Sequence, residues 1–283
     1  MKIGIIGNGF VGKATRILEC SEVELCVYDI VPELCVPIGT TLQNICDCDL
    51  IFISVPTPMN KDGSCYLNIL ESVVNDISKL TDLNETSVVI RSTVPPGTAE
   101  RLNCYFMPEF LTEKNYVQDF KNCQNWIFGI KNTSQDLKFI EKIESLINIA
   151  HKYECIHYKN IHFIPSKEAE TIKLFRNNYL SVKVAFCNEI AEFCDKKGID
   201  YETVRKLSVI DTRIGASHSY VPGPDGNRGF GGTCFPKDTA SLRYEMQISG
   251  VKSYIIDAAI KRNIEVDRPQ QDWKSNKGRS VVD

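Results

Sequence analysis

One cysteine among the twelve in this chain stands apart by its neighbours. Cys234 follows Gly229-Phe230-Gly231-Gly232-Thr233 and precedes Phe235-Pro236-Lys237-Asp238. Glycines ahead of a thiol let a ligand approach the backbone, and a nearby lysine or helix N-terminus favours the nucleophilic thiolate. Asp238, four residues on, would reach a water or thioester if that turn is helical. Lys173 and Asn177 lie four apart in a helical stretch, so they project side by side, and a Lys beside an amide can hold an oxyanion. Ser92-Thr93-Val94-Pro95-Pro96-Gly97-Thr98 is a stiff turn that would fix Thr93 at the end of a strand. Pro108-Glu109-Phe110-Leu111-Thr112-Glu113 carries two carboxylates four apart, which would share a face on a helical turn. Each of these residues also has a bland reading: a small buried thiol, a solvated acid, a solvent-facing Lys and Asn.

A second kind of chemistry is written at the start. Gly7-Asn8-Gly9-Phe10-Val11-Gly12 follows a short apolar run and opens a helical one, the context in which a GxGxxG binds a dinucleotide. Gly7 permits the turn, Gly9 lets a pyrophosphate approach, and Gly12 lets the helix pack close. Phe10 and Val11 begin the helix whose free N–H groups face the phosphates. Asp29 ends the second strand, where a carboxylate accepts from both adenosine ribose hydroxyls and would repel a 2′-phosphate. NAD is therefore expected over NADP.

The elements that must position these residues follow from periodicity. Runs 2–6, 24–28, 50–55 and 87–91 are short, apolar and bounded by turn residues, with helical lengths at 11–20 and 66–80 between them. A later strand is expected at 126–130 and a helix at 133–149. Alternating units of this kind predict an α/β, Rossmann-type doubly wound parallel sheet over residues 1–164. Ile172, Phe175, Tyr179, Val182, Phe186, Ile190 and Phe193 then recur every three or four residues. They mark one stripe of a helix from Ser166, a candidate N-cap, to about Lys197, stopped by Gly198. This long helix opens a mostly helical second domain, 165–266, interrupted by a Gly/Pro-rich loop from Arg213 to Gly232 that would be mobile without a ligand. A polar, fraying tail occupies 267–283.

Composition bounds the class. The 283 residues are 43% hydrophobic and 24% charged with net charge −3, so nothing here draws nucleic acid or an anionic membrane. No apolar run of about 18 residues suggests a membrane span. The thiols lack a disulfide framework, and the closest pair, Cys46 and Cys48, lacks zinc or redox spacing. A reducing cytoplasmic setting without a metal site is expected.

With these motifs in view, the chain resembles the UDP-glucose/GDP-mannose dehydrogenase family from Met1 to about Asn263. The carriers are GFGGTCFPKD at 229–238, Val55-Pro56-Thr57-Pro58, STVPPGT at 92–98, PEFLTE at 108–113, Lys173 to Leu180, and the loop around Asp211-Thr212-Arg213. The resemblance implies NAD-dependent four-electron oxidation of a nucleotide sugar, such as UDP-glucose to UDP-glucuronate, through a Cys234 thiohemiacetal and thioester. It implies oxyanion and water-positioning roles for Lys173, Asn177 and Asp238, a contribution from Thr93 with a bound water, and thioester hydrolysis for Glu113. Glu109, Phe110, Leu111, Glu113, Phe230 and Gly231 would line the sugar. Thr57, Thr93, Glu113 and Lys237 would lie near NAD. Arg213 would reach a neighbouring subunit's substrate, so a homodimer through the long helix is implied. Family members continue into a further Rossmann-like domain that grips the nucleotide, so this sequence without that domain is expected to be either a naturally short form or a fragment. Two alternatives stand beside this reading: the same chemistry on GDP-mannose or a UDP-N-acetylhexosamine, and a non-catalytic NAD-binding scaffold.

Overall fold

The computed structural model describes Met1 to Val282; Asp283, the last residue of the expected tail, lies outside the described residues. The chain divides into two compact units, Met1–Thr57 with Leu67–Lys173, and Pro58–Tyr66 with the residues from Leu174 onward.

In the first unit seven strands form one sheet: β1 (Lys2–Ile6), β2 (Glu24–Tyr28), β3 (Leu50–Ile53), β4 (Ser87–Ile90), β5 (Tyr105–Phe106), β6 (Asn125–Ile130) and β7 (Asn160–Pro165). Their spatial order is β2-β1-β3-β4-β5-β6-β7, and only the β5–β6 pair is antiparallel. Side chains alternate across the pleat and feed two cores. Ile3, Ile5, Val27, Leu50 and Phe52 enter one. Ile6, Cys26, Ile51, Ile53, Val88 and Ile90 enter the other. Helices α1 (Phe10–Thr15), α2 (Leu42–Cys46), α3 (Asn68–Ser78), α4 (Thr98–Arg101), α5 (Tyr116–Lys121) and α6 (Asp136–Lys152) connect the strands. The fold is the expected α/β class, mostly parallel. Strands β5 and β7 were not anticipated, and α1 gives way to a tighter 3₁₀ turn at Arg16–Leu18 before Cys20 is reached.

Helix α7 (Ser166–Lys197) is the long helix, and Gly198 ends it with φ +66°. Ser166 does not cap it. Its hydroxyl instead donates to the Ile130 carbonyl at 3.0 Å, because the helix springs directly from β7. The division between the two units falls inside α7, after Lys173.

The second unit contains the rest of α7, α8 (Tyr201–Ser208), α9 (Phe235–Ile248) and α10 (Tyr254–Arg262), and it also takes up residues 58–66. Asp200 caps α8 by accepting from the Glu202 and Thr203 amides. The tail does not fray over its described length. Trp273, on a 3₁₀ turn at Asp272–Ser275, is buried. The Met59 N–H donates to the Ser280 carbonyl at 2.9 Å, and Val282 N–H returns to the Met59 carbonyl at 3.0 Å. A buried indole and two backbone bonds offset the polar composition that suggested fraying. Among the described residues, no helix is long and apolar enough to cross a membrane.

Candidate active site

The first unit holds the residues expected around the cofactor. In an open parallel sheet a ligand sits at the carboxyl ends of the strands, where the order reverses. Here that point lies at the end of β1, with β2 on one side and β3 on the other. Gly7, at φ +91°, makes the turn. A Cβ on Gly12 would stand 1.9 Å from the Gly7 carbonyl oxygen, so only glycine lets α1 start this close. A Cβ on Gly9 would meet nothing within 4 Å, which leaves the space that a diphosphate needs. Phe10 and Val11 form the first turn of α1. Asp29 follows β2 directly and accepts from the Asn8 amide at 2.7 Å, tying its carboxylate to the glycine turn. Asn8 Oδ1 is buried and takes no hydrogen bond from the protein, an acceptor that a ligand hydroxyl can satisfy. These features fit a dinucleotide.

Next to this turn, the Thr57 hydroxyl donates to the Thr93 carbonyl at 2.7 Å and the Ser92 hydroxyl to the Val55 carbonyl at 2.6 Å. The loops after β3 and β4 are thus bolted together. Lys173 Nζ meets Glu109 at 3.0 Å, with the two side chains only 3% and 5% exposed. Phe110 lies 6.0 Å from that ammonium, and Leu111, whose amide donates to Glu109, packs partly against the core.

Glu109 and Glu113 do not share a helical face. Residues 107–112 are irregular, Glu109 is buried and Glu113 exposed. Asp119 on α5 accepts from the Thr112 amide at 2.7 Å and the Thr112 hydroxyl at 2.6 Å, which ties the end of this irregular segment to α5 and not to a helical turn of its own.

The second unit holds the cysteine loop. Cys234 is half-buried and occupies the N-cap position of α9, with the Thr233 hydroxyl 3.7 Å from its sulfur. The positive end of a 14-residue helix therefore faces the residue expected to act as nucleophile. Asp238, 1% exposed, accepts from Asn177 Nδ2 at 2.5 Å and from Lys237 Nζ at 2.7 Å. Asn178 Nδ2 adds a bond to the Asp238 carbonyl at 3.1 Å. The sequence suggested Asn177, Lys237 and Asp238 separately; the fold joins them in one network. Burial works against the Lys237 charge, but Asp238, Cys234 and Cys65 more than compensate and hold its pKa above the ordinary lysine value. It stays an ammonium at neutral pH.

Two residues that sequence reasoning missed hold this loop. Asn263, 1% exposed, accepts from the Phe230 amide at 2.8 Å and donates to the Phe230 carbonyl at 2.9 Å. Arg268 lies so close to the chain that a Cβ on Gly231 would stand 2.4 Å from its guanidinium carbon. Its Nε pairs with Asp272 at 2.6 Å, and its other arm reaches Asp225 in the preceding loop. A polar residue placed directly after a helical apolar pattern was the available signal. The Phe230 side chain itself packs with Ala185 and Ala259 in a small core. Arg213 is 88% exposed and pairs with Asp211 two residues away. Among the described residues no cluster of His, Cys, Asp or Glu could hold a metal ion.

Comparisons with known proteins follow the same division. Residues 37–148 match the NAD binding domain of the UDP-glucose/GDP-mannose dehydrogenase family, and residues 167–265 match its central domain. The glycine turn lies before the first matched residue and rests on its geometry. A UDP-glucose 6-dehydrogenase of Pseudomonas aeruginosa is 30% identical over 239 residues, covering 78% of this chain. A second, from Rickettsia prowazekii, is 30% identical over 226 residues and 76% of the chain. The chain spans about half the length of these curated relatives, 49% in both cases. Among solved structures, a UDP-glucose dehydrogenase from Pyrobaculum islandicum superposes with a TM-score of 0.76 at 23% identity, over 93% of this chain and 67% of that one, a likeness of fold. The chain belongs to the UDP-glucose/GDP-mannose dehydrogenase family and carries its NAD-binding and central domains.

Proposed function

We propose that this protein oxidises the C6 alcohol of a nucleotide sugar, UDP-glucose, to the carboxylate in two steps, with Cys234 as the covalent nucleophile. The observation that carries this reading is the placement of a half-buried thiol at the start of α9, beside the Lys237–Asp238–Asn177 network. NAD would supply the hydride acceptor, one molecule for each of the two oxidations. Gly7, Gly9 and Gly12 would hold its diphosphate, and Asp29 the adenosine ribose.

In the first step the alcohol loses a proton and a hydride and becomes an aldehyde. Lys173 and Asn177 hold the oxygen as charge develops on it, the part of catalysis that fixed donors perform best. The Cys234 sulfur then adds to the aldehyde carbon, and the thiohemiacetal keeps that carbon in place. A second hydride leaves, and a Cys234 thioester remains. Asp238 and Glu113 position and activate the water that breaks the carbon–sulfur bond, releasing the acid and the thiolate. A single oxidation would have no use for a thiol in this loop.

The aromatic residues of α7 support a homodimer. Phe175, Tyr179, Phe186 and Phe193 are each more than half exposed. Four large apolar groups on one helix form a face that a second copy of the chain covers. Buried thiols such as Cys26, Cys35, Cys48, Cys104 and Cys194 suit a reducing cytoplasm.

The test is the yield of NADH per sugar across UDP-glucose, GDP-mannose and UDP-N-acetylhexosamines. Two NADH per UDP-glucose, with uronate formed, supports the proposal. Two per molecule of another sugar keeps the chemistry and changes the substrate. One NADH with aldehyde released refutes the covalent scheme, and NAD binding with no turnover supports a scaffold.

A further inference from the structure

Glu170 lies in the second turn of α7 and is fully buried. One carboxylate oxygen accepts from the Gly97 amide and the other from the Ala99 amide at 2.8 Å. A hydrocarbon at this position would pack α7 against the sheet without the desolvation cost of an acid. Packing alone therefore does not explain the residue.

What the carboxylate holds is the turn after β4. The other end of that turn is fixed by Ser92 and Thr57, through the bonds to Val55 and Thr93. With the adenosine at Asp29 after β2 and the diphosphate at the end of β1, the order β2-β1-β3-β4 directs the nicotinamide half toward β3 and β4. The 92–97 segment lies there. Three residues beyond Glu170 on the same helix, Lys173 pairs with Glu109. We propose that Glu170 is a positioning residue that bolts the Ser92-to-Gly97 turn, and with it the nicotinamide end of the cofactor crevice, to the helical turn carrying Lys173. This rests on the NAD-dependent reading above.

The bolt is strongest when the carboxyl is ionised, since both oxygens then accept charge-assisted bonds. Burial pushes this carboxyl up to about 7, against the pull of the two amides. The charged groups facing it are Glu100 on α4 and Lys167 on α7, which pair with each other at 2.7 Å. About nine-tenths of Glu170 is then ionised at pH 8 and about one-tenth at pH 6. If the ionised form alone holds the crevice, the apparent dissociation constant for NAD rises about tenfold between them.

Isothermal titration of the whole chain with NAD and with ADP-ribose, from pH 6 to pH 8, tests this. ADP-ribose keeps the adenosine and diphosphate contacts and lacks the nicotinamide. The expected result is about tenfold weaker NAD binding at pH 6 with ADP-ribose nearly unchanged. Glu170→Gln should bind NAD more than about tenfold more weakly at pH 8 than the wild type does, with no pH dependence and normal ADP-ribose affinity. A flat wild-type NAD profile, or NAD and ADP-ribose weakening in parallel, overturns the proposal, and neither result depends on the variant folding. A Glu170→Gln protein that binds NAD as the wild type does at pH 8 overturns it too. Failure of the wild type to bind either ligand would instead sink the cofactor reading beneath it.

Discussion

Replacing Asn263 by alanine removes the clamp on the cysteine loop, and its cost can be worked from two bonds. The side chain is 1% exposed and holds both backbone groups of Phe230, at 2.8 and 2.9 Å. Each bond contributes about 1 kcal/mol net, and an orphaned buried N–H costs about 1–3 kcal/mol more. Asn263→Ala should therefore destabilise by about 3–5 kcal/mol. Asn263→Asp separates the bonds. Its carboxylate still accepts from the Phe230 amide but faces the Phe230 carbonyl oxygen, so the loss at pH 8 should match or exceed that of alanine. Protonation turns the acid into a donor–acceptor pair like the amide. The native state then binds its proton more tightly than the unfolded chain, and stability relative to wild type recovers as pH falls. Urea unfolding at pH 8 and pH 5 measures this, and peptide-resolved alkylation of Cys234 reads the loop directly. Faster alkylation in both variants is expected. A change under about 0.5 kcal/mol with unaltered alkylation would refute the clamp.

Other outcomes follow from the same geometry. Gly9→Ala places its methyl in open space, so stability should hold within about 0.5 kcal/mol while NAD binding weakens; Gly12→Ala meets the Gly7 carbonyl and should lose both, as thermal melts and NAD titration will distinguish. Lys173→Met leaves Glu109 buried and charged, a cost of about 3–5 kcal/mol, and adding Glu109→Gln should return part of it in a double-mutant cycle. If the proposed dimer forms through the exposed face of α7, the wild type should run as a dimer in light scattering and Phe186→Glu as a monomer; a variant that stays dimeric, or a monomeric wild type, would refute that interface.

The parts of the fold that were legible in the sequence are those where burial and periodicity agree. Strands β1 and β2 and the span of α7 match their expected limits because both faces of the strands are apolar and Gly198 marks the helix end. Strand β7 was hidden because it is an edge strand, half exposed and carrying Asn160 and His162. The stripe along α7 was found, but much of it faces outward. The buried side of that helix instead mixes apolar Leu174, Ala185 and Ala191 with polar Asn177, Asn178, Ser181 and Asn188. Those polar groups could be buried because Asn178 bonds Leu174 and Asp238, Ser181 bonds Asn177, and Asn188 bonds Val184 and Gly229. Hydropathy sees the apolar stripe and cannot see bonds that form only in three dimensions. The same limit hid Glu170, Asn263 and Arg268. It also misled the reading of Glu109 and Glu113, whose spacing counts only if the segment is helical, whereas the segment is irregular and Thr112 is tied to Asp119.

The proposed chemistry requires a bond between the Cys234 sulfur and the sugar carbon. Acid quenching during turnover of UDP-glucose with NAD, followed by peptide mass analysis, looks for that bond. The expected result is a uronyl nucleotide on the Cys234 peptide, absent without NAD and removed by hydroxylamine. Steady uronate production with an unmodified Cys234 peptide, matched by an equally active Cys234→Ser protein, would contradict the account.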